Sequence, residues 1–305
     1  MERCAWKYCK SPGSHVSYGR RPLCIRHWYR LCELDDAGRI KGRMQLPILT
    51  FDQSSTVSRA EADRLIRDST WCVQQKYDGI RLQVACVNGR LYQVNKRGQS
   101  VERLGNLASA FPRDRNYWLD GELAWGCYFP FDELTRPYDP YSVRLRRATA
   151  LAESFDDSRV RPVHTWRKRR AKAAMVRAAE ANGIEGVVFR KLDAPAVDGP
   201  DASVACRLKF RKRAEVIVLG AVNGKKSVHI GLYRGDHLVA VGCCTMPGRT
   251  ALPETGAVIE IEYLYATANS RLCQPVFIRH RADKPARTCT MDQLQYATMD
   301  VLKVA

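Results

Sequence analysis

The sequence predicts an α+β protein in three parts: a small cysteine-rich module, a central α+β domain and a C-terminal β-barrel. The first part is rich in Arg, Cys and aromatic residues. The central part mixes strand patterns with helix patterns, which is typical of an α+β core. The last third consists of short β-branched runs interrupted by Gly, Asn and Pro. The predicted boundaries of the three parts are 1–45, 46–212 and 213–305.

Composition and charge indicate a folded protein with a polyanionic partner. Of the 305 residues, 45% are hydrophobic, which is enough for a buried core. The net charge of +18 favours nucleic acid as the partner. No apolar run approaches the roughly 18 residues that a membrane span requires, and the N-terminus has no apolar signal region. We therefore expect a soluble, cytoplasmic protein that binds no membrane.

Local patterns predict the elements of the central domain. Ser58 and Glu61 have the spacing of a capping box and predict the start of a helix. Asn88-Gly89 has the composition of a two-residue hairpin turn, and Asn182-Gly183 ends a helix. The predicted strands cover residues 71–75, 82–87, 118–123, 184–191 and 205–209, and the main predicted helices cover residues 143–156 and 166–182.

The last third of the chain predicts a small barrel. About five strands in roughly ninety residues are typical of barrels of the oligonucleotide-binding (OB) type. The predicted strands cover residues 216–219, 228–233, 238–243, 258–265 and 276–279.

The sharpest local feature is the segment Lys76-Tyr-Asp78-Gly79-Ile-Arg81. A lysine that ends a buried strand can act as a nucleophile through its neutral amine. Gly79 permits a tight backbone, and Arg81 is suited to hold a phosphate or a sugar. A surface hairpin with mixed charges would have a similar sequence, so the segment alone does not define a site.

Carboxylates and further cations lie at the ends of other predicted strands. Asp120-Gly121-Glu122 ends one strand, Glu185-Gly186 opens another, and the run from Arg207 to Phe210 ends a third. Acidic groups opposed by Lys and Arg suit a nucleotide with a divalent cation, because the cation sits between carboxylate and phosphate.

In this order and spacing, the motifs resemble those of the covalent nucleotidyltransferase superfamily, which contains ATP-dependent DNA ligases, RNA ligases and messenger-RNA capping enzymes. The resemblance covers about residues 46–300. The matching segments are Lys76 to Arg81 (K-x-D-G-x-R), Asp120 to Glu122 (D-G-E), Phe131-Asp132 (aromatic-Asp), Glu185 to Val188 (E-G-hydrophobic) and Arg281 to Lys284 (R-x-D-K).

The resemblance implies an ATP-grasp-like adenylation domain followed by an OB-fold barrel. It also implies a reaction in which Lys76 attacks the α-phosphate of ATP and forms a lysyl-AMP adduct. AMP then passes to a 5′-phosphate at a strand break, and the 3′-hydroxyl displaces it. The implied catalytic residues are Lys76, Asp78, Arg81, Glu122, Glu185 and Lys209.

The same resemblance implies individual roles. Glu122 would hold the ribose, Arg81 the sugar or the nick phosphate, and Glu185 a Mg²⁺ (or Mn²⁺) ion. Lys209 would neutralise the α-phosphate. The further residues implied in nucleotide binding are Phe131, which would stack on the purine, Arg207, and the barrel residues Arg281, Asp283 and Lys284, which would close over the site.

The sequence departs from the family pattern at two places. Arg207 stands where the family has the first lysine of a Lys-x-Lys pair, and arginine binds phosphate through a planar fork that keeps its proton. After the hairpin, the family places a short pair that holds the 5′-phosphate of the nick. Here either Lys96 or Arg97 would fill that role.

The N-terminal module has the ligand types and spacing of a structural zinc site, Cys4-x4-Cys9-x14-Cys24-x2-His27. It resembles small zinc fingers appended to phage-encoded DNA enzymes. The alternative is four residues with no metal. Four basic side chains would contact a nucleic-acid backbone: Arg20, Arg21, Arg26 and Arg30.

These expectations favour a compact ATP-dependent DNA ligase, similar to viral and bacteriophage enzymes, that acts as a monomer on nicked double-stranded DNA in a bacterial or phage-infected cytoplasm. An RNA ligase is the nearest alternative, although the R-x-D-K segment favours a DNA ligase. A capping guanylyltransferase usually has D-G where this chain has Glu185-Gly186. The remaining alternative is a non-catalytic, zinc-dependent nucleic-acid-binding protein.

Overall fold

A computed structural model describes residues 55–96, 100–196, 201–248 and 250–296, together with the backbone of two short strands near the N-terminus. These two strands, β1 (Ser14–Tyr18) and β2 (Arg21–Leu23), form an antiparallel pair. The chain divides into two compact units. The first comprises Met1–Ala173 with Val187–Leu208, and the second comprises Ala174–Gly186 with Lys209–Ala305.

Two sheets form the centre of the first unit. The strands of these sheets are β3 (Ser55–Thr56), β4 (Trp71–Gln75), β5 (Ile80–Val87), β6 (Arg90–Asn95), β7 (Tyr117–Ala124), β8 (Cys127–Glu133), β9 (Thr165–Trp166), β10 (Gly186–Lys191) and β11 (Ala205–Lys209). One sheet has the order β3-β11-β10-β4-β9, and the other is antiparallel with the order β6-β5-β7-β8. Strand β4 is buried along its whole length, including its two polar residues Gln74 and Gln75.

The helices are α1 (Arg59–Arg67), α2 (Tyr141–Glu153) and α3 (Arg169–Ala181), with a 3-10 helix at Gly105–Ala110. The first two and the 3-10 helix belong to the first unit, and α3 continues from the first unit into the second. The predicted capping box is confirmed, because the Glu61 amide donates to the Ser58 hydroxyl at 3.2 Å. Helix α2 ends at Glu153, three residues before its predicted end, where the Ser154 hydroxyl donates back to the Leu151 carbonyl at 2.7 Å. The bond satisfies a carbonyl at the helix terminus.

The predicted hairpin after β5 is also confirmed. Val87 pairs with Arg90, and the two turn residues Asn88 and Gly89 have φ angles of 50° and 81°. Both values are positive, as a type I′ turn requires.

A buried ion pair joins α2 to β8. The Arg144 guanidinium donates to both carboxylate oxygens of Asp132, at 2.8 and 3.1 Å, and both side chains are almost completely buried. Arg144 also donates to the Ala194 carbonyl at 3.1 Å. Asp132, the acid of the predicted aromatic-Asp motif, therefore fixes the helix that covers this sheet.

The second unit contains the predicted barrel. Its strands are β12 (Lys212–Ala221), β13 (Ser227–Arg234), β14 (His237–Thr245), β15 (Val258–Tyr263) and β16 (Val276–His280), and they close in the order β12-β13-β14-β16-β15. Their inward side chains, Val216, Val228, Ile230, Val241 and Ile259 among them, are fully buried in one core. The five-stranded barrel of the OB type is therefore confirmed.

No helix in the described part of the chain is long and apolar enough to cross a membrane.

Replacing Asp132 by Ala should lower the free energy of unfolding by about 3–5 kcal/mol, because the Arg144 guanidinium would remain buried without its counter-charge. Chemical denaturation monitored by circular dichroism measures this loss. Asp63→Ala is the matched control, since it removes an exposed pair with Arg59 at 3.8 Å and should cost less than about 1 kcal/mol. Equal losses in the two variants would contradict the structural role of the buried pair.

Candidate active site

A pocket lies between the two sheets of the first unit and contains about 620 Å³ of empty space, counting the open solvent at its mouth. Six strands or their ends contribute to it. The lining residues are Gln74, Gln75, Lys76, Tyr77, Arg81, Glu122, Phe131, Val163, Val188, Arg190, Ala205 and Arg207. Lys76, Arg81, Glu122, Phe131 and Arg207 are predicted site residues, and the structure brings all five into this one pocket.

The loop that carries Lys76 is anchored by its next residue. Lys76 follows the buried strand β4 and is half-buried. The ring of Tyr77 is buried and stacks on the ring of Phe129, with centroids 4.1 Å apart and an interplanar angle of 14°. Burial raises the pKa of Tyr77 to about 12, so the hydroxyl stays protonated at neutral pH. Asp78, the next residue, is exposed.

The two motif glycines are required by close packing. A Cβ atom on Gly79 would overlap the Leu123 carbonyl oxygen and lie 2.8 Å from the Ala124 Cβ. A Cβ atom on Gly121 would lie 2.7 Å from the Phe129 carbonyl oxygen. Gly79 therefore lets the Lys76 loop approach β7, and Gly121 lets β7 approach β8.

Arg81 is held by an acid of the second motif. Its Nε donates to Asp120 Oδ1 at 2.9 Å, a second bond joins the guanidinium to Oδ2, and both side chains are buried. Burial raises the pKa of Asp120, and the positive charge of Arg81 opposes that rise. In the β5–β7 pairing, Arg81 lies opposite Glu122. Asp120 thus orients an arginine of the pocket, while Glu122 lines the pocket itself.

Phe131 packs against a cation that the sequence analysis does not single out. The Arg190 guanidinium lies over the Phe131 ring, 4.5 Å from its centroid, and 5.2 Å from the centroid of the Tyr141 ring. Such cation–π contacts are favourable when they are shielded from water. The available signal was the alternation along β10, since Val188 and Arg190 lie two residues apart and both line the pocket.

Gln74 is a second pocket residue that no sequence motif indicates. Its side-chain nitrogen donates to the Tyr141 hydroxyl at 2.8 Å and to the Thr165 hydroxyl at 2.9 Å. The Tyr141 hydroxyl itself donates to the Phe131 carbonyl at 2.9 Å, so it must accept from Gln74. These hydrogen bonds fix which side-chain atom of Gln74 is the nitrogen. The side-chain oxygen of Gln74 is then the atom that can accept a hydrogen bond from a ligand in the pocket.

Glu185 and Lys209 form an ion pair in the second unit. Lys209 Nζ lies 3.2 Å from Glu185 Oε1, and the Glu185 side chain is 2% exposed. Lys209 Nζ also donates to Gln274 Oε1 at 3.1 Å, and the Phe210 amide donates to the Glu185 carbonyl at 3.0 Å. In sequence, Glu185 directly precedes β10, which contributes Val188 and Arg190 to the pocket, and Lys209 ends β11, which contributes Ala205 and Arg207.

The three predicted barrel residues take part in ion pairs on the barrel. Arg281 binds Asp283 through two hydrogen bonds at 2.9 and 2.8 Å and binds Glu215 at 2.6 Å. Lys284 Nζ lies 3.9 Å from the same Glu215 carboxylate. The hydrogen bonds from Arg281 lower the pKa of Asp283 to about 2, so this acid is ionised at neutral pH.

The pocket has the chemistry of a nucleotide site. Four cationic side chains, those of Lys76, Arg81, Arg190 and Arg207, can neutralise phosphates. Phe131 offers an aromatic ring, and Glu122 can accept hydrogen bonds from hydroxyl groups. Within the ranges that the structure describes, no three His, Cys, Asp or Glu side chains form a ready-made metal site.

No protein-family model matches this sequence, and no curated protein matches it. Solved structures do. The structure described as "DNA binding with a minimal scaffold: Structure-function analysis of Lig E DNA ligases" is 16% identical over 75% of this chain and 99% of that chain, with a TM-score of 0.57. The chain has the fold of the DNA ligases. A structure described as "Pmar-Lig_PreS3" is 12% identical over 77% of this chain and 68% of that chain, also with a TM-score of 0.57.

The predicted DNA-contacting residues and zinc ligands do not line the pocket or lie outside the described residues. Lys96 is exposed directly after β6. The proposed zinc ligands and most of the proposed DNA-contacting arginines lie outside the described residues, so their roles stay predictions: Cys4, Cys9, Cys24, His27, Arg20, Arg26, Arg30 and Arg97. Arg21 lies in β2, of which only the backbone is described.

Replacing Gly79 or Gly121 by Ala should lower the free energy of unfolding by about 1–3 kcal/mol, because the added methyl group meets backbone atoms that cannot move independently. Denaturant titration measures the change. Gly248→Ala is the control, since no atom lies within 4 Å of its added Cβ, and it should change stability by less than about 0.5 kcal/mol. A similar loss at all three positions would refute the packing requirement.

Proposed function

We propose that this protein is an ATP-dependent DNA ligase that seals a 5′-phosphate to a 3′-hydroxyl at a nick through a covalent lysyl-AMP intermediate. The observation that carries the proposal is the position of Lys76: its half-buried side chain lines a pocket that also contains three arginines, a carboxylate and an aromatic ring. The fold of the DNA ligases around this pocket supports the same function.

In the first step, the neutral amine of Lys76 attacks the α-phosphorus of ATP. A nitrogen–phosphorus bond forms, the bond from that phosphorus to the pyrophosphate oxygen breaks, and the amine loses a proton. Arg190 and Arg207 would neutralise phosphate oxygens, Glu122 would accept a hydrogen bond from the ribose, and Phe131 would contact the base. The buried Asp120 holds Arg81 in place before the nucleotide binds, which lowers the entropic cost of ordering the site.

Glu185 is the residue that would hold Mg²⁺ or Mn²⁺. Magnesium is commonly held by one or two carboxylates together with the phosphates of its substrate, so a single glutamate beside a lysine fits this role. When bound, the ion would stabilise negative charge on the phosphates. Lys209, which pairs with Glu185 at 3.2 Å, would keep the carboxylate oriented and neutralise the α-phosphate.

In the later steps, the 5′-phosphate of the broken strand attacks the adenylate phosphorus and Lys76 recovers its amine. The 3′-hydroxyl then attacks the activated 5′-phosphate, AMP leaves, and a phosphodiester bond closes the nick. DNA is favoured over RNA as the substrate by the ligase fold and by the R-x-D-K segment from Arg281 to Lys284. The charge of +18 supports a polyanionic substrate of either kind.

Incubation of the protein with α-labelled ATP and magnesium should leave the label attached after denaturation, and mass spectrometry should locate it on Lys76. Lys76→Ala should abolish both the adduct and sealing, because no other amine replaces the nucleophile. Lys225→Ala, which changes an exposed lysine of the barrel, is the matched control and should form the adduct at the wild-type rate.

The same assay separates the alternatives. Label retained from GTP in place of ATP would indicate a capping guanylyltransferase. Sealing of nicked RNA in preference to nicked DNA would indicate an RNA ligase. A protein that binds DNA but retains no label would be non-catalytic, and an adduct that survives Lys76→Ala would refute the assigned nucleophile.

The affinity for nicked DNA should fall by at least about tenfold between roughly 50 and 200 mM salt, because a basic protein that contacts phosphates releases bound counterions. Fluorescence anisotropy of a labelled nicked duplex measures this, with the unbroken duplex as the reference. An affinity that hardly changes with salt would contradict binding through ionic contacts to the DNA phosphates.

A further inference from the structure

A tryptophan is exposed at the turn beside the Lys76 loop. Trp125 follows β7, is 44% exposed and lies in the turn between β7 and β8. Ile80, at the start of the neighbouring strand β5, is 48% exposed. Because β5 and β7 are antiparallel, with Ile80 opposite Leu123, the two apolar side chains lie at the same end of these two strands. Neither residue lines the pocket.

The backbone at Trp125 is unfavourable for a bulky residue. Its φ angle is 51°, and that of Gly126 is 73°. A two-residue turn with two positive φ angles is normally occupied by Asn, Asp or Gly. Backbone strain of this kind is often found at functional sites, and an exposed tryptophan at this place therefore requires an explanation other than turn formation.

The ring is nevertheless held in a defined position. Trp125 makes an edge-to-face contact with Tyr77, with centroids 6.0 Å apart, and a second one with Phe129 at 6.2 Å. Tyr77 and Phe129 are themselves buried and stacked on each other. Two buried rings thus support one exposed ring. Tyr77 is the residue that follows Lys76, so this ring lies against the loop of the proposed nucleophile.

Residues 156–161, which carry two aspartates and two arginines, run beside the same turn. The Tyr128 amide donates to the Arg159 carbonyl at 2.8 Å, and the Arg161 amide donates to the Tyr128 carbonyl at 2.9 Å. The Arg159 side chain is paired with Asp157. The exposed Arg161 side chain donates to the Ser158 carbonyl at 2.6 Å. Its field reaches the Tyr77 hydroxyl, whose pKa it lowers against the effect of burial.

We propose that Trp125, Ile80 and Arg161 form a nucleic-acid contact outside the nucleotide pocket, in which Trp125 stacks on a base next to the strand break and Arg161 binds a nearby phosphate. The inference rests on the proposed function, because it places the broken strand beside Lys76. An aromatic ring beside a cation is the usual platform for an unstacked base. The net charge of +18 on the chain favours nucleic acid over an apolar protein partner.

The test compares Trp125→Asn, Trp125→Phe and Arg161→Gln by anisotropy with a labelled nicked duplex. Asparagine tolerates the positive φ angle but removes the ring. We expect Trp125→Asn to weaken DNA binding about tenfold, as expected for the loss of one base–aromatic stack, and Trp125→Phe to retain affinity within about threefold. Arg161→Gln should weaken binding and reduce its salt dependence.

Tyr138→Asn is the matched control, since Tyr138 is an exposed aromatic residue of the same unit, 47% exposed, and lies outside the patch. It should bind DNA as the wild type does. Unchanged DNA affinity of Trp125→Asn, or an equal loss in Tyr138→Asn, would overturn the proposal. So would a Trp125→Asn variant that is folded but whose adduct formation with ATP alone falls as much as its DNA affinity, because the ring would then act only through Tyr77.

This experiment is independent of the proposed reaction. DNA binding is measured without ATP, so the three variants report on the patch even if the wild-type protein forms no adduct. Loss of the adduct in the wild type would remove the proposed function, whereas loss of the Trp125 effect would remove only this inference.

Discussion

The buried contact between Arg81 and Asp120 is the interaction on which the pocket depends. It joins the first motif, on β5, to the second motif, on β7, and both side chains are withdrawn from water. Removing either partner would leave a buried charge without compensation, so the pair fixes the register of the two strands. A slip of one residue between the two strands would place Arg81 and Glu122 on opposite faces of the sheet.

Close backbone packing adds to this constraint. Gly79 and Gly121 each leave no space for a side chain, and they bring the Lys76 loop, β7 and β8 together. Two acids of the motifs, Asp120 and Asp132, are used to hold arginines rather than to face a ligand. The strands that form the pocket are therefore held in place by buried ion pairs as well as by apolar packing.

Much of this arrangement could be predicted from the sequence. The cap at Ser58, the turn at Asn88-Gly89 and the five-stranded barrel follow from local patterns. Motif order predicted that Lys76 and Arg207 belong to one site, and the structure places both in the same pocket. Gln74 could not be found in this way, whereas the alternation along β10 would have indicated Arg190 once Val188 was assigned to the pocket. The position of the Gln74 side chain depends on Tyr141, which lies 67 residues away, and no local pattern reports a contact of that range.

The stacked ring of Tyr77 has a thermodynamic consequence for ligand binding. The residue after Lys76 is already immobilised by Phe129 in the free protein, so the loss of loop entropy occurs during folding and not when a nucleotide arrives. Little additional apolar surface of this loop remains to be buried on association. Calorimetry of nucleotide binding should accordingly show a small heat-capacity change from the loop, as in recognition by a rigid receptor.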